Sequence, residues 1–217
     1  MVKGIHQGLP MLRSGETVAE AQRIVILLHG RGANAESMLS LAEDLSSPGT
    51  HFVLPQAARN RWYPETAFGP LQPNEPDLSS ALQVIDDLIL EMNEKGFPKD
   101  RIVLGGFSQG ACLAAEFMVR NPDRFGGLFV LSGALIGPPE IIREPRGDLQ
   151  GTPVFIGGSD LDPWVKKEYF YEAERAFSSL AGDVEIKIYP GMGHVINEDE
   201  LTRVRDLIAG VSNAFHL

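Results

Sequence analysis

Apolar positions along this chain follow two alternating rhythms. Residues 23–29, Arg-Ile-Val-Ile-Leu-Leu-His, are almost continuously apolar, as in a strand buried on both faces of a parallel sheet. Residues 35–45 then carry Met38, Leu41, Ala42 and Leu45 at helical spacing, and 52–54 form a short second strand. A Pro- and Gly-bearing stretch from 55 to 76 is long for a connection inside a compact domain, which marks it as a binding loop. Residues 77–94 show the clearest helical stripe, Leu78, Ala81, Leu82, Ile85, Leu88, Ile89 and Met92, stopped by Gly96. The alternation continues with strands at 101–105, 128–131, 153–156 and 184–189. Helices fall at 109–120, 164–180 and 198–214, and Pro-rich coil at 137–152. Asn197 and Glu200 have the spacing of a capping box for the last helix. Strand-helix repetition of this kind predicts parallel pairing through right-handed crossovers, hence a three-layer α/β domain over 1–217. Residues before 21 add one or two antiparallel strands.

Composition narrows the classes of function. The chain has 217 residues, 43% hydrophobic and 22% charged, with a formal net charge of -10. That charge argues against nucleic acid and anionic membranes as partners. No apolar run approaches the ~20 residues that span a bilayer, and the first residues lack a signal-peptide core, so the expected location is the cytoplasm. The single Cys112 excludes an internal disulfide, and no His, Cys or carboxylate spacing suggests a metal or other cofactor.

Four loops at the carboxyl ends of the strands carry the suggestive chemistry, which is where an open parallel sheet gathers its reactive groups. Gly106-Phe107-Ser108-Gln109-Gly110 is a Gly-x-Ser-x-Gly turn between strand and helix, with Gly105 adding slack. There a serine is lifted above the sheet edge beside the first amides of a helix. A helix N-cap is the simpler reading of the same serine. Asp160 and Asp162 follow the strand at 153–156, and Gly191-Met192-Gly193-His194 follows the strand at 184–189. The order Ser, Asp, His is that of an α/β-hydrolase triad. Ser108 is the expected nucleophile, His194 the base that takes its proton, and Asp162 the carboxylate that orients the imidazole. Asp160 is the rival, and an N-cap role for Asp162 ahead of Pro163 is compatible with either.

The backbone amides of Gln109 and of Arg31, in the loop His29-Gly30-Arg31-Gly32, are the expected oxyanion donors. Because those donors are backbone groups, the Gln109 side chain should matter little. His29 is expected to be structural, and His6, His51 and His216 to lie on the surface. Trp62, Tyr63, Phe68 and Leu71 flank these loops, as do Leu135, Ile136, Trp164 and Val195, and all are candidates for an acyl pocket.

These four blocks, in this order over essentially the whole chain, resemble the phospholipase/carboxylesterase family of α/β-hydrolases, which includes acyl-protein thioesterases and small bacterial carboxylesterases. The resemblance implies a mostly parallel central sheet and no large lid domain. It implies Ser108, Asp162 and His194 as the triad, Arg31 and Gln109 as oxyanion donors, and Asn60-Arg61-Trp62-Tyr63 as a loop beside the acyl pocket. The expected activity is hydrolysis of short- to medium-chain carboxylic esters or thioesters, with a small-molecule ester as partner and a homodimer as a compatible assembly. Lysophospholipase or thioesterase action on longer chains is the alternative, and a non-catalytic acyl-binding protein the reading from another class. Thioesterase members usually carry an apolar residue where Arg31 stands; a cation near the mouth suits a substrate bearing a carboxylate or phosphate, and the alternative is an Arg31 side chain that points to solvent. A dinucleotide fingerprint at Gly30-Arg31-Gly32-Ala33-Asn34-Ala35 fails for want of an acid after the strand at 52–54.

Overall fold

A strand apolar at every position has two faces to bury. In the computed structural model, which describes residues 4–138, 141, 143 and 146–211, β2 (Arg23–Leu28) does so: Ile24 and Ile26 enter one core, Val25 and Leu27 the other. The same division runs through β3 (Thr50–Pro55), β4 (Ile102–Phe107), β5 (Gly127–Leu131) and β6 (Pro153–Ser159). With β7 (Asp183–Tyr189) they form parallel pairs, and β1 (Met11–Gly15) joins antiparallel to β3 in a seven-stranded sheet ordered β1-β3-β2-β4-β5-β6-β7. On one face pack α2 (Asp77–Glu94), α3 (Gln109–Arg120) and α4 (Lys167–Ser179). On the other pack α1 (Leu39–Asp44) and α5 (Glu198–Ala209).

The elements depart from the sequence expectation where side chains compete with the helical ladder. Residues 35–45 split into a 3-10 turn, Glu36–Met38, followed by α1. Asn34 and Ser37 explain the split: Asn34 Oδ1 accepts from the Ser37 amide at 2.8 Å, and Ser37 Oγ donates to the Asn34 carbonyl at 2.7 Å. Likewise α4 starts at Lys167 rather than 164, because Asp162 Oδ1 takes the Trp164 and Val165 amides and Lys166 is extended (φ -67°, ψ 144°). The last helix ends at Ala209, before Gly210; the expected stretch from 212 to 214 lies outside the described residues, as does His216. The capping box of α5 is present, with Asn197 accepting from Glu200 N and Glu200 Oε2 from Asn197 N. The loop at 55–76 carries 3-10 turns at Ala58–Asn60 and Gln72–Asn74. Among the described residues no helix is long and apolar enough to cross a membrane.

Two histidines expected on the surface are buried: His6 is 2% and His51 4% exposed. His51 Nδ1 donates to the Glu16 carbonyl at 2.6 Å, which ties β3 to the chain just after β1.

Candidate active site

One residue separates β4 from α3, and it is Ser108. The chain reverses there only by putting the serine at φ 56°, ψ -120°, a region that L-residues avoid. Its amide donates to the Leu131 carbonyl of β5 at 2.9 Å, and its carbonyl accepts from Cys112 N at 3.0 Å, so the strain is over-determined by sheet and helix. The turn also presses α3 onto β2. A Cβ on Gly110 would stand 2.2 Å from the Leu28 carbonyl oxygen, and one on Gly106 2.5 Å from the same atom. Gly105 serves packing rather than slack, since a Cβ there would meet the Phe129 ring at 2.5 Å. Ser108 holds the N-cap position but makes no capping bond with its side chain. Its Oγ lies instead 2.8 Å from His194 Nε2.

The other ring nitrogen, His194 Nδ1, lies 2.6 Å from Asp162 Oδ2. A carboxylate accepts, so Nδ1 carries the proton and Nε2 is left to accept from the serine hydroxyl. Asp162 divides its oxygens: Oδ1 accepts the amides of Trp164 (2.8 Å) and Val165 (3.0 Å), and Oδ2 faces the imidazole. With α4 beginning at Lys167, Asp162 is not the N-cap of a helix; its bonds to the loop amides and its contact with His194 coexist on separate oxygens. Asp160 points elsewhere and accepts from Gly191 N at 2.8 Å. Ser159 Oγ donates to the Met192 carbonyl and accepts from Leu161 N, so Ser159 and Asp160 stitch the aspartate loop to the histidine loop. Asp160, the rival carboxylate in the sequence, thus serves the loop and not the imidazole, whereas Ser159, the last residue of β6, was not singled out.

A polar lattice holds the first loop against the loop at 55–76. His29 Nδ1 donates to the Gly30 carbonyl at 2.8 Å and Nε2 accepts from Ala57 N at 3.1 Å, consistent with a structural role. Trp62 Nε1 donates to the His29 carbonyl at 2.8 Å. The His6 ring accepts from Ala58 N and donates to the Trp62 carbonyl, each at 2.9 Å. Burial pushes both imidazoles below their usual value of 6.5. The unfolded chain thus binds more protons just below that pH, so the stability these neutral rings contribute is complete above pH 6.5 and is lost as the pH falls through that region.

Neither the Gln109 nor the Arg31 side chain is idle. Gln109 is buried, with Oε1 accepting from Trp62 N and Nε2 donating to the Tyr63 carbonyl, both at 2.8 Å. The Arg31 guanidinium donates to the carbonyls of Pro64 (2.6 Å) and Glu65 and lies 5.9 Å from the Tyr63 ring centroid. It acts as a strap across two loops rather than as a free cation at the mouth. The amide of Gln109 opens α3, where helical amides have no intrahelical acceptor. Gly30 brings the neighbouring backbone beside Ser108, since a Cβ on it would stand 3.3 Å from Ser108 Cβ.

Ser108 and His194 open onto a cavity of about 540 Å³. Of the apolar candidates, Tyr63, Phe68 and Trp164 line it, and Phe68 stacks on Tyr169 at 4.1 Å between centroids. Trp62, Leu135 and Ile136 belong to the core, Leu71 packs against that core, and Val195 is exposed beside His194; none of these five is in the cavity wall. Ala67, Cys112, Ser132 and Val165 are wall residues that the sequence did not single out. Among the described residues no group of three His, Cys, Asp or Glu could hold a metal.

Behind the aspartate loop, Glu200 is fully buried against β6, where a Cβ on Gly157 would lie 2.4 Å from its Oε1. Burial outweighs the Asn197 amide and lifts its carboxyl from 4.5 to about 7. Between those values the native state holds more protons than the unfolded chain, so the stability associated with the neutral acid falls as pH rises through that window. Glu200→Gln is therefore expected to raise stability at pH 8 by on the order of 2 kcal/mol and to have no effect at pH 4. Urea unfolding at the two pH values measures this.

A mostly parallel sheet in this order, with a strained serine turn between its fourth strand and third helix, defines an α/β-hydrolase fold. The chain belongs to the phospholipase/carboxylesterase family, whose profile matches residues 15–212. Acyl-protein thioesterase 1 of Kluyveromyces lactis is 30% identical over 229 residues, covering 96% of this chain and 99% of that protein. A phospholipase/carboxylesterase from Dyadobacter fermentans superposes with a TM-score of 0.89 at 36% identity, over 93% of this chain and 97% of that one. The Bacillus cereus carboxylesterase, at 20% identity and a TM-score of 0.77 over 95% of this chain and 96% of that one, shares the fold.

Proposed function

We propose that the protein is a serine esterase that hydrolyses short- to medium-chain carboxylic esters, thioesters included, through an acyl-enzyme on Ser108. The observation that carries this is the continuous hydrogen-bond chain from Ser108 Oγ through His194 to Asp162, at 2.8 and 2.6 Å, opening onto a cavity. His194 Nε2 takes the hydroxyl proton as Oγ attacks the ester carbonyl carbon, and the imidazolium that forms is stabilised by Asp162. The amides of Gln109 and Arg31 donate to the oxyanion. The same Nε2 proton then passes to the departing alcohol or thiol. Water, deprotonated by His194, attacks the acyl-enzyme, and Ser108 recovers its proton as the acid leaves.

A second reading, action on longer acyl chains as in a thioesterase or lysophospholipase, draws on a different observation. Leu161 (67% exposed), Trp164 (72%) and Val195 (52%) lie on the loops that carry Asp162 and His194, an apolar rim on which a long chain would rest. Hydrolysis of p-nitrophenyl esters from acetate to palmitate, together with labelling by a fluorophosphonate probe, separates the readings. An optimum at butyrate to hexanoate with Ser108 labelled supports the first; an optimum at decanoate or beyond supports the second. Absence of both turnover and labelling leaves the non-catalytic acyl-binding protein.

A further inference from the structure

The loop between β7 and α5 brings His194 to the site with little packing beneath it. Pro190, Gly191, Gly193 and Val195 are exposed, and a Cβ on either glycine would meet nothing within 4 Å. The His194 ring itself meets Asp162, Ser108 and the Phe107 ring, whose centroid lies 4.9 Å away. The residues just before it are fastened by hydrogen bonds instead. Among the described residues, Gly191 N donates to Asp160 Oδ1 at 2.8 Å, the Met192 carbonyl accepts from Ser159 Oγ, and Met192 Sδ accepts from Asn197 Nδ2 at 3.1 Å. A thioether is a weak acceptor, so the first two bonds carry the loop. Both come from consecutive residues at the end of β6, and the same residues lead into Asp162. Ser159 is fully buried, and its Oγ also accepts Leu161 N at 3.1 Å, which shapes that lead-in. Asp162 is anchored in turn by the Trp164 and Val165 amides. One short segment therefore fixes the carboxylate and also the loop that delivers the imidazole to it.

We propose that Ser159 and Asp160 are positioning residues for His194: they clasp its loop at the separation from Asp162 that the proton relay needs. This rests on the esterase reading above and adds to the same site two residues that do not touch the reacting atoms. In that reading the imidazole gains and loses a proton twice per turnover, and each transfer needs Nε2 within hydrogen-bond reach of an oxygen. A misplacement of about 1 Å costs on the order of a hundredfold in rate. Substrate binding is spared, because neither Ser159 nor Asp160 lines the cavity. Asp160 works through an accepting oxygen and not through its charge, since its partner is a neutral amide and Asp162 already holds the imidazole Nδ1. An asparagine oxygen accepts from the same amide.

The test measures kcat and KM for p-nitrophenyl butyrate in Ser159→Ala, Asp160→Ala and Asp160→Asn. Alongside it, proton NMR follows the low-field resonance of His194 Nδ1–H, assigned by its loss in His194→Ala. Each alanine variant should lower kcat by about tenfold to a hundredfold, with KM within about twofold of the wild type, and should broaden the resonance. Asp160→Asn should restore most of the rate and the sharp line. Wild-type kcat in either alanine variant, a loss confined to KM, or an Asp160→Asn as impaired as Asp160→Ala overturns the inference. Absence of turnover in the wild type counts against the esterase reading instead, and the resonance then decides. A line that is sharp in the wild type and in Asp160→Asn but broad in both alanine variants supports the clasp, and a line equal in all of them overturns it. A wild type with neither turnover nor the resonance overturns both.

Discussion

Ser108→Ala is expected to lower kcat/KM for p-nitrophenyl esters by about 10⁴–10⁶-fold, while the urea midpoint stays within error of the wild type. On the mechanism proposed above, the activity loss follows from the chemistry: without Oγ there is no acyl-enzyme, and only the proposed oxyanion amides and substrate binding remain. Stability is spared because the turn is held by backbone. The bonds of Ser108 N to Leu131 and of Ser108 O to Cys112 persist, and the Oγ contact that is lost is with a partly exposed imidazole. Alanine also keeps the strained φ of 56°, so nothing relaxes. Cys112 does not take over as nucleophile, because its thiol is buried and pushed up to about 11. A fall of less than tenfold would move the nucleophile away from residue 108.

Gly110→Ala should be the most damaging single methyl in the molecule. Its Cβ would lie 2.2 Å from Leu28 O, 2.5 Å from Leu28 C and 2.6 Å from His29 O, all backbone atoms of a central strand and its following loop. No rotamer can relieve such a contact, so α3 must lift from β2 and carry Ser108 with it. The expected cost is about 3 kcal/mol, read as a drop in the urea midpoint, together with loss of ester hydrolysis. Gly193→Ala is the matched control: nothing lies within 4 Å of its Cβ position, and its effect on stability should stay within about 0.5 kcal/mol.

The positions of the strands along the chain and the bounds of α2 and α3 were legible because each depends on a local signal. A continuous apolar stripe, a stopping glycine and a Gly-x-Ser-x-Gly turn all act within a few residues. The convergence of residues 108, 162 and 194 was legible for a related reason: parallel strands deliver their ends to one edge, and the chain order supplies the rest. What escaped is non-local. His6 reads as a polar residue near a terminus, and only the fold brings Trp62 and Ala58 to its two nitrogens. Trp62 reads as a pocket aromatic, yet its indole reaches the His29 carbonyl and turns into the core. Arg31 reads as a free cation until the Pro64 and Glu65 carbonyls arrive from a loop more than 30 positions downstream. Such pairings follow from how loops fold over the sheet, which no window of sequence reports.

Gln109 has a consequence for anyone diversifying this scaffold. It begins the helix that follows Ser108, and its amide group grips Trp62 and Tyr63. A library randomised at 66–68 would alter the wall without touching that grip, and should yield many folded, working members. Randomising 62 and 63 would transmit every backbone displacement through Gln109 to the adjoining Ser108. Selectivity in this enzyme is therefore separable from turnover on one side of Tyr63 and inseparable on the other.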